Sequence, residues 1–247
     1  MPYLLSDTHV ETNEQYKLLI KWVSQLAEDD DVILLGDIFD FTKVPYMELE
    51  YMIDDFDHPH IYYVYGNHDI IAPQLGFKCY DKLKYDGLIF EHGHKYEALL
   101  RSTGFTTPEE YNELFERLCF ERNTAGILTR LSWATWHLVS CVKRNLHKPS
   151  MAQELFKLTA KIGNLVLGHT HHEIYSKMRR VLICDDAKLS DINGTTQSIS
   201  GTTTSKNRPM GYYLHTETFN FARFELNARA DIRPALDAKR NCLYDRS

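Results

Sequence analysis

Short apolar runs recur along the chain, and polar residues bound each of them. Runs of this kind, rich in leucine, β-branched and aromatic side chains, predict strands. They lie at residues 3–5, 32–35, 61–65, 88–90, 165–167, 181–183, 211–215 and 219–226. Between the first two runs the pattern is helical from Thr12, which forms a capping box with Gln15, to Asp29. A second helical pattern covers residues 46–54.

Strands and helices alternate in the N-terminal half, which predicts an α/β fold with a largely parallel sheet there. The last strands follow one another without helices, so we expect the sheet to continue in antiparallel form. Residues 97–163 break this alternation, because they show three helical patterns and no strand pattern. We therefore predict a main domain of residues 1–96 and 164–230, a helical insertion or cap of residues 97–163, and a C-terminal tail of residues 231–247.

The inserted segment carries clear helix boundaries. Thr107-Pro108-Glu109-Glu110 combines an N-cap, a proline at the first helical position and a capping-box glutamate, and it opens a helix that ends near residue 121. A second helix is predicted over residues 123–146, before Lys148-Pro149. A third begins behind Ser150 and Gln153 and ends near Gly163.

Composition and charge restrict the classes of partner. The formal net charge is -6 and the pI is near 6.0, so the chain as a whole does not attract polyanions, and nucleic acid is not an expected partner. Five scattered cysteines without a C-x-x-C pair argue against a disulfide framework. The N-terminus shows no signal-peptide pattern and no stretch is apolar enough for a membrane span, so we expect a cytoplasmic protein.

Residues whose side chains can bind metal ions come just after five of the predicted strands. In open α/β sheets this edge is where sites are built. The segments are Asp7-Thr8-His9, Gly36-Asp37-Ile38-Phe39-Asp40, Gly66-Asn67-His68-Asp69, His92-Gly93-His94 and Gly168-His169-Thr170-His171. Segments that are distant in sequence are therefore expected to bring ligands to one edge of one sheet.

Carboxylate, amide and imidazole ligands without thiolates suit manganese, iron, zinc or similar divalent ions. Alternate residues of an extended segment point the same way, so we expect Asp7 and His9 to reach one ion together, and His169 and His171 to do the same. Two ions about 3.5–4 Å apart can hold a phosphoryl group, lower the pKa of a water and stabilise the attacking and leaving oxygens. Ligands of these types, able to hold such ions, are most of what a hydrolase needs.

The five segments, in this order, resemble the signature of the calcineurin-like metallophosphoesterases: D-x-H, G-D-x-x-D, G-N-H-[DE], a later histidine and G-H-x-H. The resemblance implies a four-layer αββα sandwich of two mixed sheets, with the main domain as the catalytic one. It implies two metal ions among manganese, iron, zinc and nickel, with manganese expected to support activity. One ion would be held by Asp7, His9, Asp37 and His171, and the other by Asp37, Asn67, His92 and His169.

The same resemblance makes His68 the catalytic histidine, which contacts the substrate phosphate and protonates the leaving oxygen. Asp69 is expected to orient the His68 ring. Asp40 is expected to cap the following segment or to support a ligand rather than to act directly on the substrate.

The predicted helix of residues 123–146 has an apolar stripe, and Trp133 and Trp136 lie on another of its faces. These faces either pack, line a substrate pocket or meet a partner chain, and on the second alternative Arg130, Trp133 and Trp136 are candidate substrate-binding residues. His94, which follows the glycine of His92-Gly93-His94, either contacts the substrate phosphate, orients a metal ligand or only packs, and it is the fourth candidate substrate-binding residue. The insertion resembles that of the UDP-2,3-diacylglucosamine pyrophosphohydrolase branch of the family, whose inserted helices hold acyl chains. That branch has G-N-R-D and H-G-D where this chain has G-N-H-D and H-G-H, so a general phosphoesterase is equally supported.

The leading hypothesis is a dinuclear-metal phosphohydrolase that cleaves an ester or anhydride of a small or lipid-linked phosphorylated molecule, by in-line attack of a hydroxide. A nuclease or phosphodiesterase of the same family is the second hypothesis, and the acidic composition does not favour it. A protein-interaction scaffold that has lost catalysis is the third, and the presence of His68 argues against it. The sequence predicts no oligomeric state.

Overall fold

Two mixed β-sheets lie at the centre of the structure. The structure is a computed structural model that describes residues 1–28, 30–43, 52–96, 107–121, 152–187 and 210–226. The strands are β1 (Tyr3–Leu5), β2 (Val32–Leu35), β3 (Ile61–Val64), β4 (Cys79–Tyr80), β5 (Leu83–Tyr85), β6 (Leu88–Glu91), β7 (Leu165–Leu167), β8 (Ile174–Ser176), β9 (Val181–Ile183), β10 (Met210–His215) and β11 (Asn220–Glu225). The helices are α1 (Asn13–Ala27), α2 (Pro108–Glu121) and α3 (residues 152–159), with 3₁₀ turns at Asp54–Phe56 and Ala72–Leu75.

The first sheet has the strand order β11-β10-β1-β2-β3-β4. Strands β1 to β4 run parallel, whereas β10 is antiparallel to β1 and β11 is antiparallel to β10. Leu5 is level with Leu34, and Leu35 with Val64. The carboxyl ends of β1, β2 and β3 therefore meet at one edge of this sheet.

The second sheet has the order β5-β6-β7-β9-β8. Strands β6, β7 and β9 run parallel, and the two outer strands, β5 and β8, are antiparallel to their neighbours. Glu91 is level with Leu167, which in turn is level with Ile183. This sheet also ends its three central strands at a common edge.

The buried side chains form three layers of core, because successive side chains of a strand lie on alternate faces of its sheet. In β1, Tyr3 and Leu5 pack with Trp22 of α1, whereas Leu4 packs with Val166 of the second sheet. On the far side of the second sheet, the remaining β7 and β9 residues pack with α3. Because successive side chains of a strand point to opposite faces, each central strand is covered on both sides. The layers are α1, first sheet, second sheet and α3, as the predicted four-layer αββα sandwich requires.

Helix α1 begins as the sequence predicts. Thr12 Oγ1 accepts the Gln15 backbone N–H (3.2 Å), and Gln15 Oε1 accepts the Thr12 backbone N–H (3.1 Å). Leu19, Trp22 and Val23 lie on its buried face against the first sheet. The capping box and the apolar stripe thus fix both the start of the helix and the side that packs.

Helix α2 is also confirmed, because the Glu110 backbone N–H donates to Thr107 Oγ1 (3.2 Å) at its first turn. Its Tyr111 and Phe115 pack into the same core as α1. Several predicted features lie outside the described residues. They are the helix of residues 123–146, most of the helix of residues 46–54, the C-terminal tail of residues 231–247, and the candidate residues Arg130, Trp133 and Trp136. The division into a main domain and an insertion stays a prediction.

The sequence did not predict β4, β5 and β8. Each has two or three residues and is an edge strand of its sheet. Edge strands are covered on fewer sides, so their sequences need no continuous apolar run; Lys84 of β5 and Tyr175 of β8, for example, are exposed. In the described ranges no helix combines the length and the apolar character needed to cross a bilayer.

Candidate metal centre

The loops after β1 and β2 remain hydrogen-bonded to each other beyond the strands. The Asp7 N–H donates to Gly36 O (3.0 Å), and the His9 N–H donates to Asp37 O (2.9 Å). Val10, the next residue, donates to Ile38 O (2.8 Å). Because both loops are held by the backbone, their side chains are presented from fixed positions.

Five of the predicted ligands have left-handed backbone conformations. Their φ angles are 54° at Asp7, 45° at His9, 50° at Asp37, 76° at His169 and 52° at His171. This corrects the expectation that these segments are extended. Left-handed residues alternate with Thr8 and Thr170, a conformation that costs free energy and is concentrated at functional sites. Asp7 and His9 still belong to one group of candidate ligands, whereas His169 and His171 lie in different groups and do not face one ion together as expected.

The predicted ligands, with Asp40 and His68, form three groups in which every residue but the half-buried His171 is buried, and the candidate ligand atoms of each group lie within 4.8 Å of one another. The groups are Asp7, His9 and His171; Asp37, His92 and His169; and His9, Asp40 and His68. The first two groups contain six of the seven predicted metal ligands, divided as the resemblance implies. Residues from the second sheet therefore meet residues from the first.

Asp37 belongs to the second group and also faces His9 of the first. Its Oδ2 atom is 3.5 Å from His92 Nε2 and 3.9 Å from His9 Nε2. Asp37 Oδ2 and Asn67 Oδ1 are buried and have no hydrogen-bond partner among the described residues. A buried carboxylate or amide oxygen without a donor is unfavourable, and a divalent cation satisfies both. Oxygen and imidazole donors without sulfur also form the set that such ions prefer, so the residues fit a metal centre.

One carboxylate oxygen of Asp7 accepts hydrogen bonds, and the other faces two imidazole rings. Its Oδ2 accepts the Ser6 hydroxyl and the His169 N–H (3.0 Å), while its Oδ1 is 3.2 Å from His92 Nε2 and 3.3 Å from His171 Nε2. Burial acts to raise the pKa of Asp7, but His171 and His92 outweigh it and hold the pKa well below its usual range. Asp7 is therefore an anion at neutral pH.

His68 is held by Asp40. The Nδ1 atom of His68 is 3.0 Å from Asp40 Oδ1 and 3.4 Å from Thr42 Oγ1, and both the ring and the Asp40 carboxylate are buried. Burial acts to raise the pKa of Asp40, and the neighbouring His68 and His9 lower it well below its usual range. The carboxylate beside the ring is therefore charged and fixes which nitrogen carries a proton.

Asp69 does not hold the His68 ring as expected. Its carboxylate accepts the backbone N–H groups of Ile38 (2.7 Å) and Gly66 (2.5 Å) and the Tyr63 hydroxyl (2.6 Å). Burial and the nearby Asp37 raise the pKa of Asp69 to about 6. Asp69 thus joins the loops after β2 and β3, and the contact to the His68 ring belongs to Asp40.

This arrangement agrees with a comparison with known protein families. The sequence model of the calcineurin-like phosphoesterases matches residues 3–173, which is more than half of the chain and contains all the ligands above. The chain belongs to the calcineurin-like phosphoesterase family. None of the curated proteins compared with it is a match.

In this calcineurin-like phosphoesterase, His94 contacts the predicted metal ligand His92. Its Nδ1 is 3.2 Å from His92 Nδ1, it is 2% exposed, and its ring stacks on Tyr111 at a centroid distance of 6.3 Å. This contact with His92 agrees with the role of orienting a metal ligand, and the contact with substrate stays a prediction. Arg130, Trp133 and Trp136 cannot be placed, because they lie outside the described residues.

Two acidic residues of this phosphoesterase contact site histidines in a way that the sequence pattern did not predict. Asp40, the last residue of G-D-x-x-D, contacts His68, and Asp186 Oδ2 lies 2.7 Å from His171 Nδ1. Asp185 and Asp186 follow β9 closely, so the rule that found the other ligands, polar residues after a parallel strand, would have found Asp186 as well.

Proposed function

We propose that the chain is a dinuclear-metal phosphohydrolase that cleaves a phosphate ester or anhydride. The position of Asp37 Oδ2 carries the proposal, because this buried oxygen without a donor faces His9 of one group and His92 of the other. A carboxylate in such a position can bridge two ions. The family membership supports the phosphoesterase chemistry, and the two groups support the presence of two ions rather than one.

The residues divide into two sets of ligands that share Asp37. One set is Asp7, His9, Asp37 and His171, and the other is Asp37, Asn67, His92 and His169. Two bound divalent ions supply Lewis-acid stabilisation of phosphoryl charge and a lowered pKa for a water, and we propose manganese as the ion that supports activity. The backbone hydrogen bonds between the loops after β1 and β2 fix the positions of Asp7, His9 and Asp37.

The reaction also needs a proton for the leaving oxygen, and we assign its delivery to His68. The Asp40 carboxylate accepts a hydrogen bond from Nδ1 of His68, which leaves Nε2 as the atom that transfers the proton. Phe41 N–H donates to His68 O (3.1 Å) and the His68 N–H donates to Asp37 Oδ1 (2.8 Å), so the backbone of His68 is fixed to the ligand carboxylate. A positioned general acid of this kind contributes about 10²–10⁴-fold to the rate.

For the substrate, we propose a small or lipid-linked phosphorylated molecule. The formal net charge of -6 does not favour a polyanion such as nucleic acid. We also propose a cytoplasmic location, with which the three free cysteines of the described residues, Cys79, Cys119 and Cys184, agree.

The proposed function is tested with metal-stripped protein reloaded with Mn²⁺. We expect hydrolysis of at least one of bis-p-nitrophenyl phosphate, p-nitrophenyl phosphate and a series of nucleoside diphosphate conjugates, with loss of activity on chelation. Asp37→Ala should lose both metal and turnover, whereas His68→Ala should keep the metal and lose about 10²–10⁴-fold in kcat. His58→Ala is the control, because His58 is an exposed histidine outside the five motifs.

Two results would count against this function. If the wild-type protein bound Mn²⁺ but hydrolysed none of the three substrate classes, a scaffold role would be favoured. If the protein nicked DNA in a metal-dependent manner and bound it with strong salt dependence, the nuclease hypothesis would replace the small-molecule one.

A further inference from the structure

His171 is held at its second ring nitrogen by a residue outside the five motifs. His171 Nδ1 lies 2.7 Å from Asp186 Oδ2, and its Nε2 lies 3.3 Å from Asp7 Oδ1. The side chains of His171 and Asp186 are 8% and 17% exposed, so water competes little for this contact. The ring is thus placed between a carboxylate behind it and the proposed metal ligands in front.

The loop that carries Asp186 is fixed on three sides. Cys184 N–H donates to Leu167 O (2.7 Å), Asp185 N–H donates to the Tyr212 hydroxyl (2.8 Å), and Ala187 N–H donates to Ser6 O (2.8 Å). These partners belong to β7, to β10 and to the residue after β1. Because the backbone on both sides of Asp186 is anchored to both sheets, its carboxylate is presented to His171 from a rigid position.

We propose that Asp186 is a positioning residue for the metal ligand His171, an inference that rests on the proposed function. A carboxylate only accepts hydrogen bonds, so at 2.7 Å the Nδ1 atom of His171 must carry the hydrogen. The lone pair of a neutral imidazole is then on Nε2, the atom that faces Asp7. Such carboxylate–histidine pairs fix the tautomer and ring orientation of a metal ligand and increase its basicity. The family match ends at residue 173, so it does not include Asp186.

The test measures Mn²⁺ affinity and the tautomer of His171 in the full chain. We expect Asp186→Ala to weaken Mn²⁺ binding by about 10–100-fold, and Asp186→Asn, whose amide oxygen accepts the same N–H, to weaken it less. In the His171→Ala background, Asp186→Ala should change the affinity by no more than about twofold, because the interaction is already lost. In metal-free protein at a pH where the His171 ring is neutral, long-range ¹H–¹⁵N spectra should show the hydrogen on Nδ1 in the wild type and on Nε2 in Asp186→Ala.

The outcomes separate this inference from the proposed function. If wild-type protein bound no Mn²⁺, the proposed function would be wrong and the inference with it. If wild-type protein bound Mn²⁺ and Asp186→Ala bound it equally well, only the inference would be wrong. Equal weakening by Asp186→Ala with and without His171 would show that Asp186 supports the loop alone and would also refute the inference. Asp186→Asn is nearly isosteric, so it tests the pair even if the alanine variant fails to fold.

Discussion

Gly66→Ala is expected to damage the metal centre without removing a ligand. A Cβ atom at Gly66 would lie 2.6 Å from the backbone nitrogen of Asp37 and 2.6 Å from His92 Nδ1, and closer still to Asp37 Oδ1. The Asp37 backbone cannot move away freely, because Asp37 O accepts the His9 N–H and Asp37 Oδ1 accepts the His68 N–H. The substitution therefore forces either the ligand carboxylate or the His92 ring out of position.

The size of the effect follows from two costs. Overpacking in a well-packed interior costs about 1–3 kcal/mol. For a chain of this size, each kcal/mol lowers the melting temperature by about 2–4 °C, so a fall of about 2–12 °C is expected. A displacement of about 1 Å at a reacting centre lowers the rate by about 10²-fold, and we expect a loss of that order here, together with weaker Mn²⁺ binding.

The assay compares the melting temperature, Mn²⁺ affinity and turnover of Gly66→Ala with those of Gly87→Ala. Gly87 lies in the turn between β5 and β6 with a φ of 73°, and among the described residues no atom lies within 4 Å of the point where its Cβ would be. Alanine there carries only the left-handed backbone cost of about 1–2 kcal/mol and should leave Mn²⁺ binding unchanged. If Gly66→Ala bound Mn²⁺ and turned over substrate like the wild type, the close approach of Gly66 to the ligands would not matter and the reasoning would fail.

Three further predictions concern other parts of the structure. Asp40→Asn should lower kcat by about 10²-fold, because His68 loses the charged partner that fixes its ring; an unchanged kcat would contradict this. Thr12→Ala should lower the free energy of unfolding in urea by about 0.5–2 kcal/mol through loss of the α1 cap, without affecting Mn²⁺ binding. Removal of Mn²⁺ with EDTA should lower the melting temperature, since an ion at 100 times its Kd stabilises the fold by about 2.7 kcal/mol; equal melting curves would argue against binding to the folded state.

The sequence predicted the central strands and the side chains that meet at their ends, for a physical reason. β1, β2, β7 and β9 are covered on both faces, so each appears as a continuous apolar run. The polar residues that follow such runs stand out, and the parallel direction of the strands places them at one edge. The edge strand β8, with its exposed Tyr175, lacks the contrast between an apolar run and polar neighbours, so the sequence pattern does not predict it.

The contacts between side chains could not be predicted in the same way. Whether Asp40 or Asp69 reaches the His68 ring depends on the path of two loops, and both residues belong to the motifs. Asp7 and His9 converge through left-handed residues, whereas alternation in an extended segment, which the sequence suggests, leads to the same grouping for a different reason. Motifs identify which residues meet, and the backbone conformation decides which atoms do.

The five ligands with left-handed backbone also limit how the sequence can change. Each non-glycine residue in such a conformation costs about 1–3 kcal/mol, whereas the net stability of a domain is about 5–15 kcal/mol. Glycine at any of these positions would relieve the strain and remove a ligand at the same time. Selection for stability and selection for metal binding therefore favour different residues at the same five positions. In a library of variants sorted for resistance to heat in the absence of metal ions, where an ion cannot stabilise the fold, we expect the metal centre to be lost first.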